Sequence, residues 1–151
     1  MLVMLDLTAA FETIYHAILL SRLFHRFVVT SAALEWFRSY LSGRHQVVRI
    51  GNEKSPPKDV TFGVPQGSVL WPLLFTAYIT PVGDIIKKFR QDYHLYADNT
   101  QLYVSFASGG NSQLNTIDRL RSCLQEIGEW YRTNLLKLMS LCWEQSKRCR
   151  R

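Results

Sequence analysis

Residues 93–104 read Tyr-His-Leu-Tyr-Ala-Asp-Asn-Thr-Gln-Leu-Tyr-Val. Apolar and aromatic residues flank a two-residue polar tip, Asp98-Asn99, and the pattern predicts two short strands joined by a tight turn. Such a hairpin can hold a carboxylate at the end of a sheet. A second carboxylate, Asp6, closes the continuous apolar run Leu2 to Leu5, which suits a buried strand. Between them lies Thr61-Phe62-Gly63-Val64-Pro65-Gln66-Gly67-Ser68, where two glycines and a proline oppose regular structure. Each piece has a plainer local reading. Asp6 also suits a helix cap or loop, Asp98-Asn99 a simple turn, and Thr61–Ser68 a connection that needs tight turns.

The remaining elements follow from periodicity. Ala9 to about Phe27 predicts a helix with Ile14, Ile18, Leu23 and Phe27 on its apolar face. Thr30-Ser31 can cap a second helix through Trp36, Phe37, Tyr40 and Leu41, stopped at Gly43. Gln46 to Ile50 predicts a strand, and Gly51 to Lys58, with Pro56-Pro57, a surface loop. A helix is expected from Ser68-Val69 to Tyr78, and a short one around Asp84 to Phe89. After the hairpin comes the loop Ser108-Gly109-Gly110-Asn111. Gln113 to about Leu138 predicts a long amphipathic helix with Leu114, Ile117, Leu120, Leu124, Ile127, Trp130 and Tyr131 as its buried stripe. The basic end, Ser146 to Arg151, reads as a solvated terminal tail, the alternative being a nuclear-targeting or RNA-contacting segment. The order β-α-α-β-loop-α-β-β-α fits an α+β sheet covered on one face by helices.

Composition narrows the function classes. At 151 residues and 47% hydrophobic, the chain suits one domain with a real core. The formal charge of +6 permits a polyanion partner. Cys123, Cys142 and Cys149 form no disulfide framework or Cys-x-x-Cys pair, and the four histidines show no ligand spacing. Asp6 interrupts the apolar N-terminus without a preceding basic region, so no signal peptide is read, and no apolar run is long enough for a membrane span. An intracellular setting, nuclear or cytoplasmic, is expected. The chain starts inside an apolar strand, so further sequence is expected before it.

Two carboxylates from separate strands can share a pair of Mg²⁺ ions, which take few protein ligands and complete their shells with substrate phosphates. Two such metals about 3.5–4 Å apart can stabilise both the attacking and the leaving oxygen of a phosphoryl transfer. The glycine-bearing loop matches neither G-x-x-x-x-G-K-[ST] nor G-x-G-x-x-G, so it is neither of the common phosphate loops.

Three segments in order, Leu5-Asp6-Leu7-Thr8-Ala9-Ala10-Phe11, Gly63-Val64-Pro65-Gln66-Gly67-Ser68-Val69-Leu70 and Tyr96-Ala97-Asp98-Asn99, resemble motifs of reverse transcriptases, those of non-LTR (LINE-type) retrotransposons above all. The linking segments Trp36 to Leu41, Gln101 to Tyr103 and Asn134 to Leu138 agree with that resemblance, which covers about residues 2–138. It implies a polymerase palm-like antiparallel sheet with helices packed on one face, the fingers and thumb largely missing. Residues 1–138 would be the palm fragment and 139–151 a divergent basic C-terminal tail. By resemblance, Asp6 and Asp98 hold two Mg²⁺ ions, and Asn99 is a degenerate catalytic position. Phe11 is the sugar gate favouring deoxynucleotides. Gly63, Pro65, Gln66, Gly67, Ser68, Tyr96 and Ala97 line the nucleotide and template site. The implied partners are an RNA template, a DNA primer and a dNTP.

The chain departs from the family pattern at defined places. Asn99 replaces the last residue of Tyr-Ala-Asp-Asp and removes one negative charge beside two cations. A loss of about 3–5 kcal/mol of transition-state binding slows a reaction roughly 10²–10⁴-fold. Trp71 stands at a position usually held by glycine, where a bulky ring overpacks. Glu12 and Tyr15 replace aspartates. The text from Met139 onward leaves the pattern. The sequence therefore predicts an RNA-directed DNA polymerase fragment that is inactive alone. The alternatives are a non-catalytic nucleic-acid-binding module and a decayed retroelement product.

Overall fold

The computed structural model describes residues 1–64, 68–105 and 110–144. The tail from Ser146, and Ser108-Gly109 of the expected loop, lie outside the described residues. Two compact units divide the chain. One comprises Met1–Ala10 and Ile79–Arg151, the other Phe11–Tyr78.

The first unit is built on a four-stranded antiparallel sheet. Its strands are β1 (Leu2–Thr8), β6 (Asp92–Tyr96), β7 (Asn99–Tyr103) and β8 (Lys137–Glu144), in the order β6-β7-β1-β8. Alternation along β1 is strict. Val3, Leu5 and Leu7 are buried, whereas Leu2, Met4, Asp6 and Thr8 are partly exposed. On β7, Thr100 and Leu102 are buried in the same phase. Helices α4 (Pro81–Lys88) and α5 (Gly110–Thr133) cover that inner face. The Tyr131 hydroxyl of α5 meets Thr100 Oγ1 at 3.1 Å. Gly83 of α4 lies so near Tyr93 that an added Cβ would stand 2.3 Å from the ring hydroxyl. The expected α+β class, with helices on one face of an antiparallel sheet, is what forms.

The long helix is shorter than its apolar pattern implies. It ends at Thr133, where the Leu135 N–H bonds to Arg132 O (3.2 Å) and the Leu136 N–H to Tyr131 O (2.8 Å). That pair of bonds is a Schellman motif, with Leu135 in the left-handed position (φ +59°) and buried Leu136 docking beside Tyr131. The chain then enters β8, which crosses Leu138 and Met139 and pairs with β1 along its length. The helix stripe is also rotated from expectation. Thr116, Leu120, Cys123, Ile127 and Tyr131 are buried, while Leu114 and Ile117 are exposed.

The second unit holds α1 (His16–His25), α2 (Ser31–Leu41), most of α3 (Trp71–Ile79) and four two-residue strands. Helix α1 starts seven residues later than its apolar spacing predicts. Residues just before it are engaged by the glycine loop instead: Gly63 N–H bonds to Ile14 O (2.8 Å) and Val64 N–H to Phe11 O (3.3 Å). Arg22 of α1 donates to Tyr78 O and lies 4.4 Å from the centre of the Tyr78 ring. Thr30 stands at the N-cap of α2 without a side-chain cap bond, and of that helix only Leu41 is buried.

The strand expected at Gln46–Ile50 and the loop expected at Gly51–Lys58 are two limbs of one ribbon. β2 (His45–Gln46) pairs with β5 (Lys58–Asp59), and β3 (Arg49–Ile50) with β4 (Glu53–Lys54). Gly51, at φ +59°, supplies the left-handed residue that a two-residue hairpin turn requires.

Candidate active site

Asp6 stands near the end of the central strand, opposite Asn99 of β7 on one side and Ser140 of β8 on the other. All three belong to the sheet face that turns away from the buried residues of β1. The pairing of β1 with β8 slips between Asp6 and Leu7, so that Met139 is an extra residue there. Such a bulge bends a strand and re-aims the side chain beside it. Nothing in the local sequence signals it.

The hairpin tip falls one residue earlier than the polar pair implies. Tyr96 pairs with Asn99, so the turn is Ala97-Asp98 and Asn99 begins β7. The reason is conformational. A two-residue hairpin loop needs positive φ at its first position, or at both, to match the strand twist. Ala97 adopts φ +51° and Asp98 does not share that region. A non-glycine residue held there costs about 1–2 kcal/mol. Tyr96, just before the turn, is 71% exposed.

This register sets which side chains adjoin. Asp6 and Asn99 are cross-strand partners, with Asp98 adjacent in the turn, and all three side chains are partly buried. Among the described residues, Asn99 Oδ1 is buried and finds no hydrogen-bond donor. A buried acceptor without a donor costs about 1–3 kcal/mol, so its natural complement is a donor or a cation. Among the described residues no group of three or more His, Cys, Asp or Glu side chains gathers into a metal cluster. The oxygen set here is two carboxylates and one amide. Mg²⁺ prefers such hard oxygen donors and needs few of them, so these residues fit the ion.

Phe11, Gly63 and Ser68 belong to the other unit. The Phe11 ring stacks on Trp71 at 3.9 Å between centroids, 29° from parallel, and meets Phe75 at 4.5 Å. Trp71 is the face on which the Phe11 ring rests. Among the described residues its Nε1 is buried without a hydrogen-bond partner, as is Ser68 Oγ. Gly63 takes φ +77°, and an added Cβ would stand 3.2 Å from Glu12 O. Its carbonyl accepts a bond from His16 Nε2 at 2.7 Å. Pro65, Gln66 and Gly67 lie outside the described residues. His16 and the Phe11–Trp71 stack were invisible to motif reading, since neither is signalled by spacing within a single element.

The fold and site define an α+β domain whose antiparallel sheet brings an aspartate, a turn aspartate and an amide to adjoining strand ends. The model of the family described as reverse transcriptase (RNA-dependent DNA polymerase) matches residues 1–140. The chain belongs to that family. It is similar to the probable RNA-directed DNA polymerase from transposon BS of Drosophila melanogaster, 37% identical over 76 residues, or 50% of this chain and 8% of the relative. It is also similar to the probable RNA-directed DNA polymerase from transposon X-element of the same organism. That match is 28% identical over 151 residues, covering 95% of this chain and 16% of the relative. The chain thus spans a small part of the length of both curated relatives. Among the described residues, no helix is long and apolar enough to cross a membrane.

Proposed function

We propose that this chain is the palm portion of a non-LTR retrotransposon reverse transcriptase, acting on an RNA template, a DNA primer and a dNTP inside the cell. In this reading residues 1–138 are the palm fragment and 139–151 a divergent basic tail. The observation that carries it is the pairing of Asp6 with Asn99, whose buried Oδ1 has no partner, next to Asp98 in its strained turn.

Asp6 and Asp98 would hold two Mg²⁺ ions, with Asn99 offering a neutral oxygen. When bound, that pair supplies activation of the primer 3′-hydroxyl and charge stabilisation of the triphosphate. The positive φ of Ala97 fixes where Asp98 stands. Phe11, held on Trp71, excludes the 2′-hydroxyl of a ribonucleotide. Gly63, whose positive φ disfavours a side chain, and Pro65, Gln66, Gly67 and Ser68 are assigned to nucleotide and template binding by the family resemblance, as are Tyr96 and Ala97. The missing charge at Asn99 leaves the native chain without effective synthesis of its own.

The test is primer extension on an RNA template by the Asn99→Asp chain. Extension with dNTPs is expected, abolished by adding Asp6→Ala and opened to ribonucleotides by Phe11→Ala. Extension that persists after Asp6→Ala would refute the assignment of the site.

A further inference from the structure

The ribbon Arg44–Val60 is exposed on both sides. Every residue of its four short strands is exposed, and so are Val47, Val48 and Ile50, the last 78% exposed beside the turn. Two-stranded ribbons without a buried face are marginally stable in water. This one is held chiefly by polar bonds along its length. Val60 N–H bonds to Arg44 O and Ser55 N–H to Val48 O, both at 2.9 Å, and Val48 N–H to Ser55 Oγ at 3.0 Å. At its base His45 Nδ1 meets Asp59 Oδ1 at 2.7 Å. Such a scaffold spends its apolar residues on solvent, which is unfavourable unless something else covers them.

Charge indicates what covers them. The ribbon carries Arg44, Arg49, Lys54 and Lys58 against Glu53 and Asp59, and Asp59 is engaged by His45. No ion pair within 4.0 Å involves any of the four cations among the described residues. A cavity of about 630 Å³ opens at the ribbon base, lined by Arg44, His45 and Lys58 and reaching Thr61 and Gly63. Cations spaced along an extended, narrow element can track successive phosphates, and a slim two-stranded ribbon can lie against the wide, shallow minor groove of an A-like duplex. The exposed Val48 and Ile50 would then lie against sugars rather than water.

We infer that the Arg44–Val60 ribbon is a nucleic-acid-gripping arm, with Arg49, Lys54 and Lys58 on the phosphates of the RNA–DNA duplex and Ile50 against its sugars. This rests on the proposed reverse-transcriptase function and adds to it a surface outside the three motifs.

Fluorescence anisotropy with a labelled RNA–DNA hybrid, titrated across a salt series, tests it. The combined Arg49→Ala, Lys54→Ala and Lys58→Ala variant is compared with a control of equal charge change, Lys87→Ala with Arg121→Ala and Arg132→Ala, three exposed cations on α4 and α5. Both variants are first checked for a native circular-dichroism melt. The ribbon variant is expected to bind at least tenfold more weakly than the control and to flatten the log–log salt slope by about 2–3. Ile50→Asp, which changes one apolar contact, is expected to weaken binding several-fold. Equal weakening of ribbon and control variants would overturn the arm and leave the reverse-transcriptase reading intact. Failure of the native chain to bind the hybrid at all would overturn both.

Discussion

Asp6 and Asn99 face each other across β1 and β7, and among the described residues the buried amide oxygen of Asn99 has no hydrogen-bond partner. A second carboxylate at this position would repel Asp6 unless a cation stood between them. Asn99→Asp is therefore expected to lower the melting temperature in EDTA. In millimolar Mg²⁺ that variant should regain stability, because binding to the folded state alone stabilises by RT ln(1 + [L]/Kd). The native chain should respond less to the same ion. Differential scanning calorimetry with and without Mg²⁺ checks this; equal Mg²⁺ responses would show that position 99 does not face a cation.

Ala97 occupies positive φ in the two-residue turn that carries Asp98. Ala97→Gly should stabilise the chain by about 1 kcal/mol, less the extra entropy that glycine loses on folding. Ala97→Val should destabilise it by more than that gain, since a β-branched side chain fits this region worst. Urea unfolding of the three proteins measures both, and a Val variant as stable as the native chain would remove strain from the account of this turn.

Trp71 is the platform for Phe11. Trp71→Gly removes the stack, leaves a cavity and adds a flexible residue to the first turn of α3, at an expected cost of about 2–4 kcal/mol. Phe11→Leu keeps bulk at the gate and should cost less, about 1–2 kcal/mol. If Trp71→Gly proves neutral or stabilising, the ring is overpacked as the family pattern implies rather than a support.

Burial pushes the Cys123 thiol up to about 11 from an ordinary 9.0, and burial likewise raises the Tyr131 hydroxyl to about 12 from 10.0, although its bond to Thr100 acts the other way. Both folded values lie above the unfolded ones. Their contribution to stability is therefore complete below about pH 9 and is lost as the pH rises towards 12. Tyr131→Phe should flatten the decline between pH 10 and 12 while lowering stability at pH 7 by about 1 kcal/mol through the loss of the Thr100 bond. At neutral pH, iodoacetamide should alkylate exposed Cys142 and spare buried Cys123 until the chain is unfolded, as read by peptide mapping.

Much of this fold was legible because the strands that matter announce themselves. The apolar run at Leu2–Leu5 and the aromatic alternation around Asp98 both became adjacent strands, as their patterns require. What pattern reading missed has local physical causes. The turn moved to Ala97-Asp98 because backbone conformation, rather than side-chain polarity, selects a hairpin tip. The last helix stopped at Thr133 because a Schellman motif formed around Leu135, a residue that gives no glycine signal. In sequence the ribbon reads as a strand and a loop because Pro56-Pro57 mimics a break, while the residues on either side of it pair through backbone bonds. Within the site, Asp6, Asp98 and Asn99 were readable as types and order. The bulge beside Asp6 and the unpartnered oxygen of Asn99 were not, since both depend on pairing with a distant strand.

The most direct measurement is primer extension on an RNA template with Mg²⁺, comparing the native chain with Asn99→Asp, each shown to be folded and to bind the hybrid. If the two carboxylates and the residue at 99 form the metal site, Asn99→Asp should extend the primer roughly 10²–10⁴-fold faster than the native chain. Equal rates, or silence in both proteins, would contradict the claim that the missing charge at Asn99 is what restrains this site.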